Sequence, residues 1–350
     1  MSDTKPLGVH MQREMAEQPT VLAGLITRWD EDLERIAEAL PDPLRGVAFI
    51  GRGSSDNAAT IGRYAVELFA GVPATLAAPS LSTRYEPHLS YEDHLIVALS
   101  QSGGTPEIIA AGLALRGAGS RLLGITNTTT SDLAGVADLA IFLSAGDERA
   151  VPATKTVTAQ VLAILAVASA IAVSRGRPAP VTAAQLAGLP AAIEMVLADD
   201  APVRALVDRW RDADRLQVVG RGLDYGAVLE VALKIKETTG VFAQGISAAD
   251  FVHGPIAAVD AAVPVVVIDV GGPNSEELAG VADRLVTLGV NVATIGTAAS
   301  STLGIPDQLP EVLSAVAVIV RGQQLALEWA RKLGRDPDHP AGLSKMTLTY

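Results

Sequence analysis

Val47-Ala-Phe-Ile-Gly-Arg-Gly-Ser-Ser-Asp-Asn57 is an apolar run that ends in Gly-Arg-Gly and passes into a helical pattern. Leu216-Gln-Val-Val-Gly-Arg-Gly-Leu-Asp-Tyr-Gly226 repeats it about 170 residues later. The echo extends downstream: His94-Leu-Ile-Val-Ala-Leu99 pairs with Val263-Pro-Val-Val-Val-Ile-Asp269, and Arg121-Leu-Leu-Gly-Ile-Thr126 with Val290-Asn-Val-Ala-Thr-Ile-Gly296. Short apolar strands alternating with helical segments build βαβ units around a parallel sheet, so the chain reads as two copies of one α/β domain. The expected organisation is a helical arm over 1–34, a first domain over 35–176, linking helices over 177–201, a second domain over 202–334 and a tail over 335–350. Arg175-Gly-Arg-Pro-Ala-Pro180 supplies the break between the copies.

Ser100-Gln-Ser-Gly-Gly-Thr105 follows the third of these strands directly and leads into Pro106-Glu107-Ile-Ile. A strand that turns through hydroxyls and glycines into a helix opening with proline directs N–H groups, hydroxyls and a helix N-terminus at one point, which suits an anion. The loop has no lysine and lacks P-loop spacing, so a phosphomonoester is expected rather than a metal-bound triphosphate. The same residues also satisfy a plain Ser/Thr-rich N-cap turn. The second copy has Asp269-Val-Gly-Gly-Pro-Asn274 here, with an acid near the anion position, so only the first copy is expected to hold phosphate.

At 350 residues, 49% of them hydrophobic, the chain can bury two cores. A net charge of −12 with no basic stripe argues against nucleic acid. Zero cysteines and five scattered histidines leave no disulfide, no thiolate chemistry and no metal-ligand spacing, so neither metal nor cofactor is expected. The N-terminus lacks an apolar signal core, which points to a cytoplasmic protein. The long apolar stretch over residues 157–173 is alanine-rich, includes Thr158, Gln160 and Ser169, and is short for a bilayer span; it reads as a buried helix, with no membrane partner.

A helix is expected over roughly 227–238, and on it Glu230, Lys234 and Glu237 fall at i, i+4 and i+7, one face, with Lys236 directed elsewhere. Spacing alone makes Glu230 and Lys234 rungs of a solvated Glu–Lys ladder. His253, in Asp250-Phe-Val-His-Gly-Pro255, reads by itself as a structural histidine, and Lys345, near the end of the chain, as solvated charge.

Six segments in order, GRGSSDNA (51–58), SQSGGTPE (100–107), AVPATKTVTAQ (150–160), LEVALKIKETTG (229–240), FVHGP (251–255) and GLSKMTLTY (342–350), resemble a double sugar-isomerase (SIS) domain protein. The likeness is to the isomerase half of glucosamine-6-phosphate synthase and to stand-alone sugar-phosphate deaminases and fructosamine-phosphate deglycases. It implies two tandem flavodoxin-like three-layer α/β/α domains with mainly parallel sheets, assembled as a homodimer with shared active sites. It also implies that Ser100, Gln101, Ser102 and Thr105 grip the sugar phosphate with help from Ser55, while Ser54 faces the sugar. Val151 and position 153 contact sugar hydroxyls in the family, but Ala153 replaces the synthase serine, so that contact is expected to be lost. Thr154 and Lys155 keep the family pattern, and Lys155 serves equally well in a structural salt bridge.

For chemistry, the resemblance makes Glu237 the carboxylate that moves a proton between C1 and C2, with Lys234 assisting. His253 becomes the ring-opening group, reaching the neighbouring subunit's site, a task suited to imidazole, which as a side-chain type exchanges protons near neutrality. Lys345 matches a tail lysine able to form a Schiff base with the keto sugar. Gln244 departs from the synthase, which has glutamate there. The synthase also draws nitrogen through a glutaminase domain with an N-terminal cysteine, which this sequence lacks. The expected activity is therefore that of an SIS-type glucosamine-6-phosphate deaminase releasing ammonia and fructose 6-phosphate. A fructosamine-6-phosphate deglycase is the alternative enzyme, and a phosphosugar-sensing regulator the alternative outside catalysis; the acidic charge and absence of a basic recognition helix speak against the regulator.

Overall fold

The computed structural model describes residues 6–85 and 87–345. The chain divides into two compact units. One, here the Ser100 unit, takes Thr20–Asp147 and Lys155–Ala187; the other, the Glu237 unit, takes the described residues up to Pro19, Glu148–Thr154 and Gly188–Lys345.

The helices run α1 (Val9–Ala16), α2 (Gln18–Thr27), α3 (Trp29–Ala39), α4 (Ser54–Ala65), α5 (Pro106–Gly117), α6 (Asp132–Val136), α7 (Lys155–Ser174), α8 (Ala183–Ala198), α9 (Ala201–Trp210), α10 (Tyr225–Thr239), α11 (Ala248–Val252), α12 (Ser275–Thr287) and α13 (Glu311–Lys332). In the Ser100 unit the strands are β1 (Gly46–Ile50), β2 (Ala74–Leu76), β3 (His94–Leu99), β4 (Arg121–Thr126) and β5 (Leu139–Phe142). In the Glu237 unit they are β6 (Arg215–Gly220), β7 (Phe242–Ser247), β8 (Val265–Asp269), β9 (Val292–Gly296) and β10 (Leu303–Gly304).

Both sheets are parallel, with order β2-β1-β3-β4-β5 in one and β10-β9-β8-β6-β7 in the other. The central strands are buried on both faces, which explains their nearly unbroken Val, Ile and Leu runs. The repeat is a register match. The sequence offset that carries Ala48 onto Gln217 also carries its pairing partner Ile96 onto Val265, the partner of Gln217. It places Ser55 opposite Asp224 in the comparison and Ser100 opposite Asp269.

Helix α7 packs on α3 and α4 in the Ser100 unit, and its residues are buried on every face from Lys155 to Ala172. It is the one helix among the described residues long and apolar enough to cross a membrane, and 94% of that window is buried, as a core helix requires. Gly62 on α4 permits the close approach: a Cβ there would stand 2.5 Å from Ile164 Cγ2 and 2.8 Å from Phe49 Cε1.

Candidate active site

The Ser100 unit forms a cradle at the carboxyl ends of β1 and β3, on either side of the point where strand order reverses, the usual ligand position of open α/β sheets. Ser100 is buried; its Oγ accepts the Gly103 N–H at 3.1 Å and lies 3.2 Å from Thr105 Oγ1. Ser102 Oγ accepts the Gly104 N–H at 3.2 Å. The Gln101 carbonyl accepts from the Asn127 N–H at 3.0 Å and the Thr126 hydroxyl at 3.3 Å. Gly103 sits at φ 64°, and a Cβ there would come within 2.2 Å of Ser131 Oγ, so this return demands glycine. Thr105 is the N-cap of α5, with Pro106 behind it, yet its side chain makes no capping bond. A loop built only as a cap would spend that hydroxyl on the helix.

Helix α4 starts across the cradle at Ser54. Ser55 Oγ accepts from Gln160 Nε2 at 2.9 Å, and Gln160, on α7, is 1% exposed. Sequence reading registers Gln160 only as a polar interruption of an apolar helix; the structure shows that it fixes the Ser55 hydroxyl. Arg52 Nε meets Glu107 Oε2 at 3.0 Å, tying the start of α4 to the start of α5.

In the Glu237 unit, α10 departs from the solvated ladder that spacing suggests. The Glu230 side chain is 0% and the Lys234 side chain 1% exposed, and Lys234 Nζ lies 3.4 Å from Glu230 Oε1 and 2.5 Å from Glu237 Oε2. The reason is the neighbours: Ala227, Val231 and Ile235 on the same stripe are buried, and α10 packs on α13 and β7. Burial pulls the Lys234 pKa down, but Glu230, Glu237 and Glu148 more than offset it and the net direction is upward. Glu237 keeps 22% of its side chain exposed and borders a cavity of about 460 Å³ shared with Lys236, Thr238, Arg335, His339 and Leu343.

Lys345 reaches the same charge group. Its Nζ donates to Glu148 Oε2 at 2.7 Å and to the Ala150 carbonyl at 2.8 Å. The Glu148 side chain is wholly buried and its other oxygen accepts the Thr154 N–H at 3.0 Å. Sequence reasoning misses Glu148, because Asp147-Glu148-Arg149 resembles an ordinary solvated charge run. Val151 and Ala153 lie in this loop, with the Val151 N–H 3.4 Å from the Asp338 carbonyl. His253 follows α11, is exposed, and is not among the groups that shift Lys234. The rest of the tail motif, residues 346–350, lies outside the described residues.

A family model described as "SIS domain" matches residues 45–170 and 210–305. The chain belongs to the SIS domain family. Among curated relatives, glutamine–fructose-6-phosphate aminotransferase (isomerizing) of Gloeobacter violaceus is 34% identical over 365 residues, covering 96% of this chain and 58% of that protein. Its Methanothermobacter thermautotrophicus counterpart is 30% identical over 345 residues, covering 96% and 56%. The chain thus spans little more than half the length of these relatives. Two solved structures share the fold. The C-terminal domain of glucosamine-fructose-6-phosphate aminotransferase from Francisella tularensis superposes with TM-score 0.82 at 23% identity, covering 94% of this chain and 98% of that one. Glucosamine-6-phosphate deaminase from Thermotoga maritima gives 0.80 at 23%, covering 97% and 100%.

The second SIS repeat carries the equivalent cradle with its chemistry reversed. Asp269, at the Ser100 position, accepts the Gly271 N–H at 3.1 Å and the Ser275 hydroxyl at 2.7 Å, so a side-chain carboxylate occupies the loop's own donors. Asp224, at the Ser55 position, is 4% exposed, and its Oδ1 has no hydrogen-bond partner among the described residues. Burial first, then Glu311 and Asp269, push the Asp224 carboxyl well above its usual range. Glu311 leans over the loop: a Cβ on Gly272 would stand 2.8 Å from its Oε2. A phosphate entering this cradle would meet three carboxyl groups in place of hydroxyls.

Proposed function

We propose that this SIS protein is an amino sugar phosphate deaminase that converts glucosamine 6-phosphate and water into fructose 6-phosphate and ammonia. One observation carries the reading: Glu237, partly open to a cavity, is held at 2.5 Å by the wholly buried ammonium of Lys234. A solvated ladder has no need of that arrangement, whereas a base that must abstract a carbon-bound proton needs a fixed carboxylate and a nearby cation to steady developing negative charge. The Ser100 loop binds the phosphate through Ser100, Ser102, Thr105 and loop N–H groups, with Ser54 and Ser55 at the α4 start. His253, from a second copy in a homodimer, opens the ring. Glu237 removes the proton from C2 of the open aldehyde and returns it at C1, leaving an imine at C2 that water hydrolyses to the ketone and ammonia. Lys345 lies with its ammonium on Glu148, beside the loop of Val151 and Ala153, and meets the sugar's carbonyl end. The curated relatives are named for fructose 6-phosphate and one fold neighbour for glucosamine 6-phosphate, which supports the choice of sugar.

A second reading, release of an amino acid from a fructosamine 6-phosphate, gains from the cavity beside Glu237. Lys236 and Arg335 on its wall would suit a carboxylate on the amine substituent. A panel of amino sugar phosphates and fructosamine phosphates, assayed for ammonia and amino-acid release, separates the two. Glu237→Gln should retain phosphosugar binding and lose at least about 100-fold in turnover. Mixing Glu237→Gln with His253→Ala chains should restore activity in heterodimers; near-normal ammonia release by Glu237→Gln alone would end the proposal.

A further inference from the structure

The N-terminal motif His10-Met-Gln-Arg-Glu-Met-Ala-Glu-Gln-Pro19 has no part in the function so far. In the structure it forms α1, and its Glu14 is 0% exposed although it carries a carboxylate. Glu14 Oε1 accepts the Arg149 N–H at 2.5 Å and Oε2 the Ala150 N–H at 3.2 Å. These are the residues next to Glu148, and the Ala150 carbonyl is itself one of the two acceptors of Lys345 Nζ. Helix α1 is in turn anchored from the far end of the chain. Asp338 accepts the His10 and Met11 N–H groups, each at 2.8 Å, and Asp336 accepts the Gly8 N–H at 3.0 Å.

We propose that Glu14 is the positioning residue for Lys345: by clamping the peptide N–H groups of residues 149 and 150, it fixes the pair of acceptors, Glu148 Oε2 and Ala150 O, between which the lysine ammonium is held. The proposal rests on the reading that Lys345 acts on substrate. A carboxylate serves here because both peptide partners are N–H donors and it is acceptor-only, and the Arg13 guanidinium stands 3.6 Å from the same Oε1. A glutamine offers one oxygen and one amide nitrogen, so one of the two N–H groups would face another donor. Placing a buried charge at this spot has an electrostatic cost. Burial raises the Glu14 pKa, and Glu148 adds to it, against the lowering by the two N–H bonds and Lys345. Purely structural anchoring of a loop could be met by neutral groups, so a carboxylate buried here against that cost agrees with a demand for accurate placement.

The test uses the full-length protein in four forms: unchanged, Glu14→Gln, Lys345→Ala and the double variant. Lys345 reactivity is read by competitive acetylation and mass spectrometry in the absence of substrate, with thermal melting as the fold control. Glu14→Gln should change the Lys345 labelling rate several-fold while other lysines keep theirs. It should lower kcat for ammonia release from glucosamine 6-phosphate by about tenfold or more with KM little changed, as a misplaced catalytic group does. In the Lys345→Ala background the same substitution should lower kcat no further. Unchanged Lys345 labelling would overturn the proposal, as would an equal kcat loss in both backgrounds. Wild-type turnover by Lys345→Ala would instead remove the role given to Lys345, and labelling alone would then decide whether Glu14 positions it. If Glu14→Gln melts below the assay temperature, Glu14→Asp, which keeps the charge and withdraws it by one methylene, takes its place in the same comparisons.

Discussion

Replacing Lys234 by methionine keeps the length and most of the volume of a fully buried side chain while deleting its charge. What remains is Glu230, whose side chain is 0% exposed, and Glu237, 22% exposed, with the ammonium that stood 3.4 and 2.5 Å from them gone. Removing one partner of a buried ion pair costs about 3–5 kcal/mol, against about 0.3–0.5 kcal/mol for an exposed i,i+4 pair, so the two pictures of α10 differ by roughly tenfold in energy. The cost should depend on pH in a set direction. In the native protein the Lys234 pKa is raised above 10.5, so its contribution is complete below that value and is lost only as pH rises through the folded-state pKa; it is flat between pH 6 and 9. In the methionine variant Glu230 has no counter-charge, its folded-state pKa rises, and the variant should regain stability as pH falls toward the carboxylate range. Urea denaturation of full-length protein at several pH values, followed by far-UV circular dichroism, measures this. The double variant Glu230→Gln/Lys234→Met should recover most of the loss, because no buried charge is left unpaired. A loss below about 1 kcal/mol, independent of pH, would refute the buried-triad argument and restore the surface ladder.

In the Ser100 loop, Ser102→Ala with Thr105→Ala should, on the proposed function, weaken glucosamine 6-phosphate binding by about 1.5–3 kcal/mol per hydroxyl, read by isothermal titration calorimetry, with the melting temperature nearly unchanged. Ser275→Ala, the fitting control in the second repeat because Gly271 and Gly272 are held at positive φ, should leave that affinity alone. Asp224→Asn should stabilise the fold by about 1–3 kcal/mol near neutral pH, since it removes a buried carboxyl with an unpartnered oxygen facing Glu311 and Asp269. The sign follows from the raised folded-state pKa: between the unfolded value of 3.8 and that pKa the folded state holds a proton the unfolded state lacks, so native stability falls as pH rises, and the advantage of asparagine should vanish near pH 4.

The architecture was legible because its signals are local and repeated. The run His94–Leu99 is bounded by residues that cannot extend an apolar strand, and it is β3 to the residue; the helix read over about 227–238 is α10, Tyr225–Thr239. The apolar stretch over 157–173 proved to begin at Lys155, since a fully buried lysine opens α7 where hydropathy sees a boundary. The Ser100 loop was legible for a different reason: hydroxyls, a glycine at φ 64° and a helix-opening proline each constrain backbone geometry, whatever surrounds them.

The buried charges were not legible in the same way, because i,i+4 spacing is shared by solvated ladders and interior ion pairs, and only tertiary packing separates them. A signal was nevertheless present in the stripe that contains each charge. Glu14 falls between Met11 and Met15 on α1, both of them buried, and Glu230 and Lys234 interleave with Ala227, Val231 and Ile235. A carboxylate or ammonium inside an otherwise apolar stripe is expensive unless another element supplies its partner, so its presence predicts a long-range contact. For Glu14 that contact is the loop at 149–150, more than 130 positions away in sequence. Glu148 has no such stripe, since it lies in an irregular segment where polarity is the rule; its burial follows from Lys345 and Thr154 closing on it, and no local pattern could have shown that. The charges that sequence alone would discard as surface decoration are therefore the ones that build the buried ion network of the Glu237 unit, while the hydroxyls and glycines of the Ser100 loop announce themselves through the backbone geometry they impose.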